Sequence, residues 1–159
     1  MTKLLAVYLM DHHAGSVAGA ALARRVARHN SGLAGGAALH DVARQIDEDR
    51  QTLEHVMRAL DVRPSPVKVA LARAAEVAGR LKLNGRIVSR SPLSAVVELE
   101  ALALGILGKR KLWQALEGTP AVAAAGQVDF AALAERARDQ HQVVESTRRE
   151  AARTALQEP

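Results

Sequence analysis

The chain of 159 residues contains no cysteine, and this absence excludes disulfide bonds, zinc–thiolate sites, iron–sulfur clusters and thiol catalysis. Aromatic residues are also scarce: they make up 2% of the chain, as Tyr8, Trp113 and Phe130. Alanine, leucine and valine dominate instead. Alanine and leucine favour helices, whereas a sheet core normally contains β-branched and aromatic residues. The composition therefore predicts an all-α protein.

Long apolar runs are missing too, since no stretch reaches the roughly 20 apolar residues that a transmembrane helix requires. The apolar run 4–10 is as short as the core of a signal peptide, but its helical pattern continues to Arg24. We interpret this run as the start of the first helix. We therefore expect a cytoplasmic protein without a membrane segment.

The chain has only a small excess of positive charge: it contains 22 lysines and arginines and 17 aspartates and glutamates, which gives a formal charge of +5. Such a charge suits an anionic partner, but the basic residues are scattered in small groups along the chain. The scarcity of aromatic residues also removes the stacking surfaces that bind single-stranded nucleic acid. We interpret the basic groups as solvated helix faces and do not expect a nucleic-acid partner.

Glycine, proline and serine divide the chain into four long helices and one short helix. Gly35-Gly36 follows the first helix, Ser65-Pro66 and Ser91-Pro92 are typical helix starts, and Asn84-Gly85 ends the short helix. We expect one bundle domain over 1–159, with the short helix in the long connection between the second and third long helices. The predicted long helices span about 3–29, 37–60, 92–116 and 129–156, and the short helix spans about 66–81.

Each long helix has an apolar stripe at helical spacing, and each stripe contains one ionisable residue. These residues are His12, Asp49, Glu100 and His141, whereas His13 is predicted to point away from the core. At a rise of about 1.5 Å per residue, His12 and Asp49 lie within about two helical turns of the same depth in the bundle, and so do Glu100 and His141. Buried ionisable groups are unfavourable unless they are paired or bind a metal. We expect the four side chains to meet in the core.

The third long helix is apolar on two sides, and a helix of this kind must be covered twice. We expect the stripe around Glu100, which includes Leu104 and Leu107, to face the core. A second stripe contains Trp113 together with Leu99, Leu102, Ile106 and Leu116. We expect either the short helix or a second subunit to cover Trp113. This apolar surface predicts a homo-oligomer.

Two imidazoles and two carboxylates are a suitable ligand set for iron, manganese or zinc. Together with the helix order and the long connection, this set resembles the ferritin-like superfamily, which includes metal-binding bundles with inward-projecting ligands on all four helices. The resemblance implies a ferritin-like four-helix bundle with an additional short crossover helix. The implied metal ligands are His12, Asp49, Glu100, His141 and Glu145, with Tyr8 and Arg148 beside them.

The di-iron members of that superfamily have Glu-x-x-His pairs. Here the residue three positions after Asp49 is Thr52, where a histidine is expected, and the residue three positions before His141 is Arg138, where a glutamate is expected. This difference argues against a standard di-iron centre and leaves a mononuclear site, an altered site or a lapsed site as the alternatives. The predicted function is metal binding, with an oxidative or metal-handling activity left open. In the alternative hypothesis, the same residues form a structural hydrogen-bond network in a non-enzymatic helical interaction or stress protein. The sequence specifies no substrate.

Overall fold

The computed structural model describes residues 2–83, 92–119, 126 and 128–157. The all-α prediction is confirmed, because every regular element among these residues is an α-helix. The predicted breaks at Asn84-Gly85 and Ser91 lie outside the described residues. The helices are α1 (Lys3–His29), α2 (Ala38–Ala59), α3 (Pro66–Leu83), α4 (Pro92–Glu117) and α5 (Phe130–Gln157).

Local side-chain caps explain several of the helix ends. The Thr2 hydroxyl accepts a hydrogen bond from the Leu5 amide at the start of α1 (3.3 Å), and the Asp129 carboxylate accepts one from the Ala132 amide at the start of α5 (2.8 Å). The turn after α1 requires Gly36, because a Cβ at that position would lie 2.1 Å from the Asn30 carbonyl oxygen. These caps and this tight turn fix where α1, α2 and α5 begin.

The four long helices enclose the core, and none of the described side chains of the short helix belongs to it. Helix α1 packs against α2 and α4, α4 packs against α5, and α2 packs against α5. Helix α3 packs against α1, where the Lys68 ammonium contacts the Asp11 carboxylate at 2.5 Å. The expectation that α3 or a second subunit covers Trp113 is therefore wrong: Trp113 is 1% exposed and packs into the bundle's own core.

The apolar core consists of two clusters, one towards each end of the bundle. The first contains Val26, Ile46, Leu102 and Val144, among others. The second contains Leu9, Leu53, Met57, Leu112, Trp113 and Phe130, among others. The boundary between the two clusters falls at Asp49 on α2, at Lys109 on α4 and at Arg136 on α5. A polar layer therefore interrupts the core near its middle.

Candidate functional site

Asp49 is the centre of the polar layer, and it is 1% exposed. Its carboxylate contacts the ammonium group of Lys109 on α4 and the guanidinium group of Arg136 on α5. The Gln140 amide also donates to it at 3.3 Å. The prediction that Asp49 points into the core is confirmed. Its partners are two cations and an amide, which compensate the cost of burying a carboxylate.

Lys109 is a further charge of the polar layer, with a side chain that is 15% exposed. Its ammonium donates to the side-chain carbonyl of Gln140 as well as to Asp49. Burial lowers the pKa of Lys109 below its ordinary value, since it disfavours the charged form. Asp49 opposes this shift, and the nearby positive charge of Arg136 adds to it.

A cleft of about 340 Å³ opens between α1 and α4 and reaches down to α2. Its deep part is lined by apolar side chains that include Leu53, Leu102 and Trp113. The carboxylate-bearing Asp49 and the amine-bearing Lys109 also line it. The cleft therefore combines an apolar interior with charged side chains, which are Asp11 and Arg50 as well as the pair Asp49 and Lys109. An apolar pocket with a few polar groups is typical of small-molecule sites.

Four glycines border the same cleft: Gly15 and Gly19 on α1, and Gly105 and Gly108 on α4. A Cβ built on any of them would meet no atom within 4 Å, apart from neighbouring residues and the backbone of its own helix. Close helix packing therefore does not explain why these positions lack a side chain. Together, the four glycines leave open space between α1 and α4.

His12 lies beside this cleft with its ring against Tyr8, at 4.5 Å between ring centroids and in an edge-on arrangement. Burial lowers the pKa of His12 below 6.5, and the charge of Asp11 offsets this only in part. The prediction that His13 points away is wrong. His13 is 5% exposed, and its Nε2 lies 3.2 Å from a carboxylate oxygen of Glu54 on α2.

Glu100 lies on the outer face of α4, contrary to the expectation that it faces the core. Its carboxylate is 3.5 Å from the Arg148 guanidinium, which also binds Glu145 at 2.7 Å. Hydrogen bonds from Arg148 and Arg149 lower the pKa of Glu145 from 4.5 to about 2. The predicted Glu100, Glu145 and Arg148 are thus brought together, but at the surface.

The proposed ligands are therefore distributed over separate places. His12 and Asp49 line the cleft, Glu100 and Glu145 lie at the surface of the α4–α5 pair, and His141 is half-buried on α5. Across residues 2–83, 92–119, 126 and 128–157, no three His, Asp or Glu side chains are grouped so that they could hold a metal ion. Metal binding by these five residues stays a prediction.

Lys109, Arg136 and Gln140 were not predicted as site residues from the sequence. Lys109 was grouped with surface charges, yet it shares a helical stripe with Leu102 and Trp113 once the inner face of α4 is known. Gln140 similarly shares a stripe with Ala137, Val144 and Thr147, all buried on α5. A glutamine within an otherwise apolar stripe is the signal from which the polar layer could have been predicted.

The fold and the site together define a helical protein with an interhelical cleft and a charged group at its depth. Comparisons with protein-family models, with curated proteins and with solved structures find no match. No helix among the described residues is both long and apolar enough to cross a membrane.

Proposed function

We propose that this protein binds a small, largely apolar molecule in the cleft between α1 and α4. The observation that carries the proposal is the set of four helix-interior glycines around one cleft, with no close contact at any of them. Glycine inside a helix is about 1 kcal/mol less favourable than alanine. A stability cost repeated at four positions on two helices is best explained by the space that these positions keep open.

The lining also defines the chemistry of the ligand. The apolar side chains at the deep end, Leu53, Leu102 and Trp113 among them, favour a hydrocarbon body. Lys109 and Asp49 offer a hydrogen-bond donor and an acceptor to one polar end. The volume of about 340 Å³ suits a short alkyl chain or a small ring system.

The fluorescence of Trp113 provides a direct test, because it is the single tryptophan of the chain and lines the cleft. We expect a titration with 1-octanol to change its emission in a saturable manner. The variant Gly15→Leu places a side chain in the open space and should weaken binding at least about tenfold, or 1.4 kcal/mol.

The control is Ala115→Leu, which also introduces a leucine side chain, but at an exposed position of α4 outside the cleft. This variant should bind 1-octanol like the unchanged protein. Equal loss in both variants, or no saturable signal in the unchanged protein, would contradict ligand binding in the cleft.

Metal binding remains a second function to be tested. The ligand types of His12, Asp49 and His141 suit iron, manganese or zinc, and the helix order is compatible with a ferritin-like bundle. Elemental analysis after incubation with Fe(II), Mn(II) or Zn(II) tests it. Metal retained near stoichiometry and lost in His141→Ala would support the hypothesis; a protein that stays empty would refute it.

We also propose that the protein self-associates through the outer face of α4. Leu93, Leu104 and Leu107 are exposed there, at 50%, 68% and 37%. A two-fold antiparallel pairing of two α4 helices that brings Leu104 opposite the partner's Leu107 also brings Glu100 opposite the partner's Lys111. Self-complementarity of this kind is what a symmetric dimer requires.

Sedimentation equilibrium with charge-exchange variants tests this pairing. We expect Glu100→Lys to weaken the dimer, because it places two lysines opposite each other, and the double variant Glu100→Lys/Lys111→Glu to restore it. A monomeric unchanged protein, or a dimer insensitive to Glu100→Lys, would contradict this interface.

A further inference from the structure

The amine of Lys109 occupies an unusual position for a lysine. Its side chain lines the cleft and is largely withdrawn from water, whereas lysines normally keep their ammonium groups at the surface. Its Nζ contacts two polar groups of the core layer, the Asp49 carboxylate and the side-chain carbonyl of Gln140. A ligand in the cleft therefore has a primary amine within its binding site.

The surroundings of Lys109 also suit an amine nucleophile. Asp49, which would stabilise the ammonium form, is shared with the guanidinium of Arg136. The Arg136 guanidinium can balance the carboxylate alone. A lysine desolvated beside a second cation is a recognised arrangement for an amine nucleophile.

We propose that Lys109 forms a reversible imine with an aldehyde-bearing, otherwise apolar ligand in the cleft. This inference rests on the proposed ligand-binding function and specifies its ligand class. The neutral amine adds to the carbonyl carbon, a C–N bond forms, and a proton passes from nitrogen to oxygen to give a carbinolamine. A second proton leaves the nitrogen as the oxygen departs as water, and the C=N bond remains. The reaction needs no oxidant or reductant.

Asp49 and Gln140 have distinct positions in this step. The Asp49 carboxylate contacts Nζ and is placed to take up a proton from the nitrogen and return it to the oxygen. The side-chain carbonyl of Gln140 accepts a hydrogen bond from Nζ and holds the amine in place, while its amide donates to Gln45 at 3.1 Å. Arg136 keeps Asp49 compensated when the Lys109 nitrogen is no longer charged.

Trapping with octanal tests the proposal on the full chain. The protein is incubated with octanal, the imine is reduced with cyanoborohydride, and the labelled peptides are identified by mass spectrometry. Lys109 is one of five lysines, so each site can be quantified separately. We expect Lys109 to be labelled at least about tenfold faster than the exposed Lys111, because the cleft holds the aldehyde next to its amine.

Competition and variants complete the test. An excess of 1-octanol, which has the same chain length but no carbonyl, should suppress labelling of Lys109 and leave Lys111 unaffected. Lys111→Arg should retain the labelling at Lys109. Asp49→Asn keeps the side-chain shape and should slow labelling of Lys109 by a larger factor than it weakens 1-octanol binding, a difference that a purely structural role would not produce.

The outcomes separate this proposal from the proposed function. Saturable 1-octanol binding with labelling spread evenly over the lysines would overturn the imine and leave ligand binding intact. Absence of both octanol binding and selective labelling would overturn the two together. Selective labelling of Lys109 that 1-octanol does not suppress would show a reactive amine outside the ligand site and would also overturn the proposal.

Discussion

The inner and outer faces of α4 contain similar residues in opposite surroundings. On the inner face, Leu102 is 3% exposed and Lys109 contacts the buried Asp49. On the outer face, Leu104 is 68% exposed and Glu100 lies 3.5 Å from Arg148 at the surface. Only the inner face borders the cleft. The difference teaches that the neighbours of a helix, more than its own composition, decide which of its charges can serve a site.

The same contrast applies to the energies of the two charged groups. Surface ion pairs stabilise proteins by about 0–1 kcal/mol, since water competes for both partners. Removing one member of a buried pair costs far more, because an uncompensated charge stays in the core. The buried group around Asp49 should therefore contribute most to stability. The surface group around Arg148 should contribute little.

The largest effect is expected for Asp49→Ala, which leaves Lys109 and Arg136 without their common counterion. We expect the free energy of unfolding to fall by about 3–5 kcal/mol, measured by urea denaturation. The control Asp41→Ala removes an exposed ion-pair partner of Arg44 on the same helix and should cost less than about 1 kcal/mol. Similar losses in the two variants would break the distinction between inner and outer charges.

Next in size is the difference between Leu102→Ala and Leu104→Ala, two residues apart on α4. Leu102→Ala should lower the free energy of unfolding by about 2–5 kcal/mol, because truncating this buried side chain leaves a cavity. Leu104→Ala should change the free energy of unfolding by less than about 0.5 kcal/mol, because Leu104 is exposed. Urea denaturation at low protein concentration measures both. The reverse order would mean that the faces of α4 are assigned wrongly.

The smallest effect is expected for Glu145→Gln at the surface. Its pKa in the folded protein, about 2, is lower than its ordinary 4.5, so its ion pairs stabilise the fold above pH 4.5. That contribution is lost as the pH falls from 4.5 towards 2. The variant should therefore be less stable by under about 1 kcal/mol near neutral pH, and its difference from the unchanged protein should vanish in acid. A difference that persists unchanged at pH 2 would contradict this assignment.

The helices themselves could be predicted closely from the sequence. The observed ends lie within about two residues of the predicted ones, because glycine, proline and capping residues act locally. The Asp129 cap and the tight turn at Gly36 are examples. Neither depends on which helix packs where, so a single sequence contains enough information for them.

The faces of the helices could be predicted only in part. On α2, charged residues leave one apolar stripe, and Asp49 within it is buried as predicted. On α4, leucines occupy both the stripe of Leu102 and that of Leu104, so helical periodicity cannot choose between them. The choice depends on where α1, α2 and α5 lie. The predicted position of Glu100 was wrong for this reason, and Lys109 was missed for the same one.

The central claim is that the protein gives up helix stability to keep a ligand cleft open. The most direct measurement combines urea denaturation with 1-octanol titration of Trp113 fluorescence, in a variant with alanine at the four cleft glycines, Gly15, Gly19, Gly105 and Gly108. We predict a variant more stable by about 2–4 kcal/mol that binds 1-octanol at least about tenfold more weakly. A variant that gains stability and binds 1-octanol unchanged, or that loses stability, would contradict the claim.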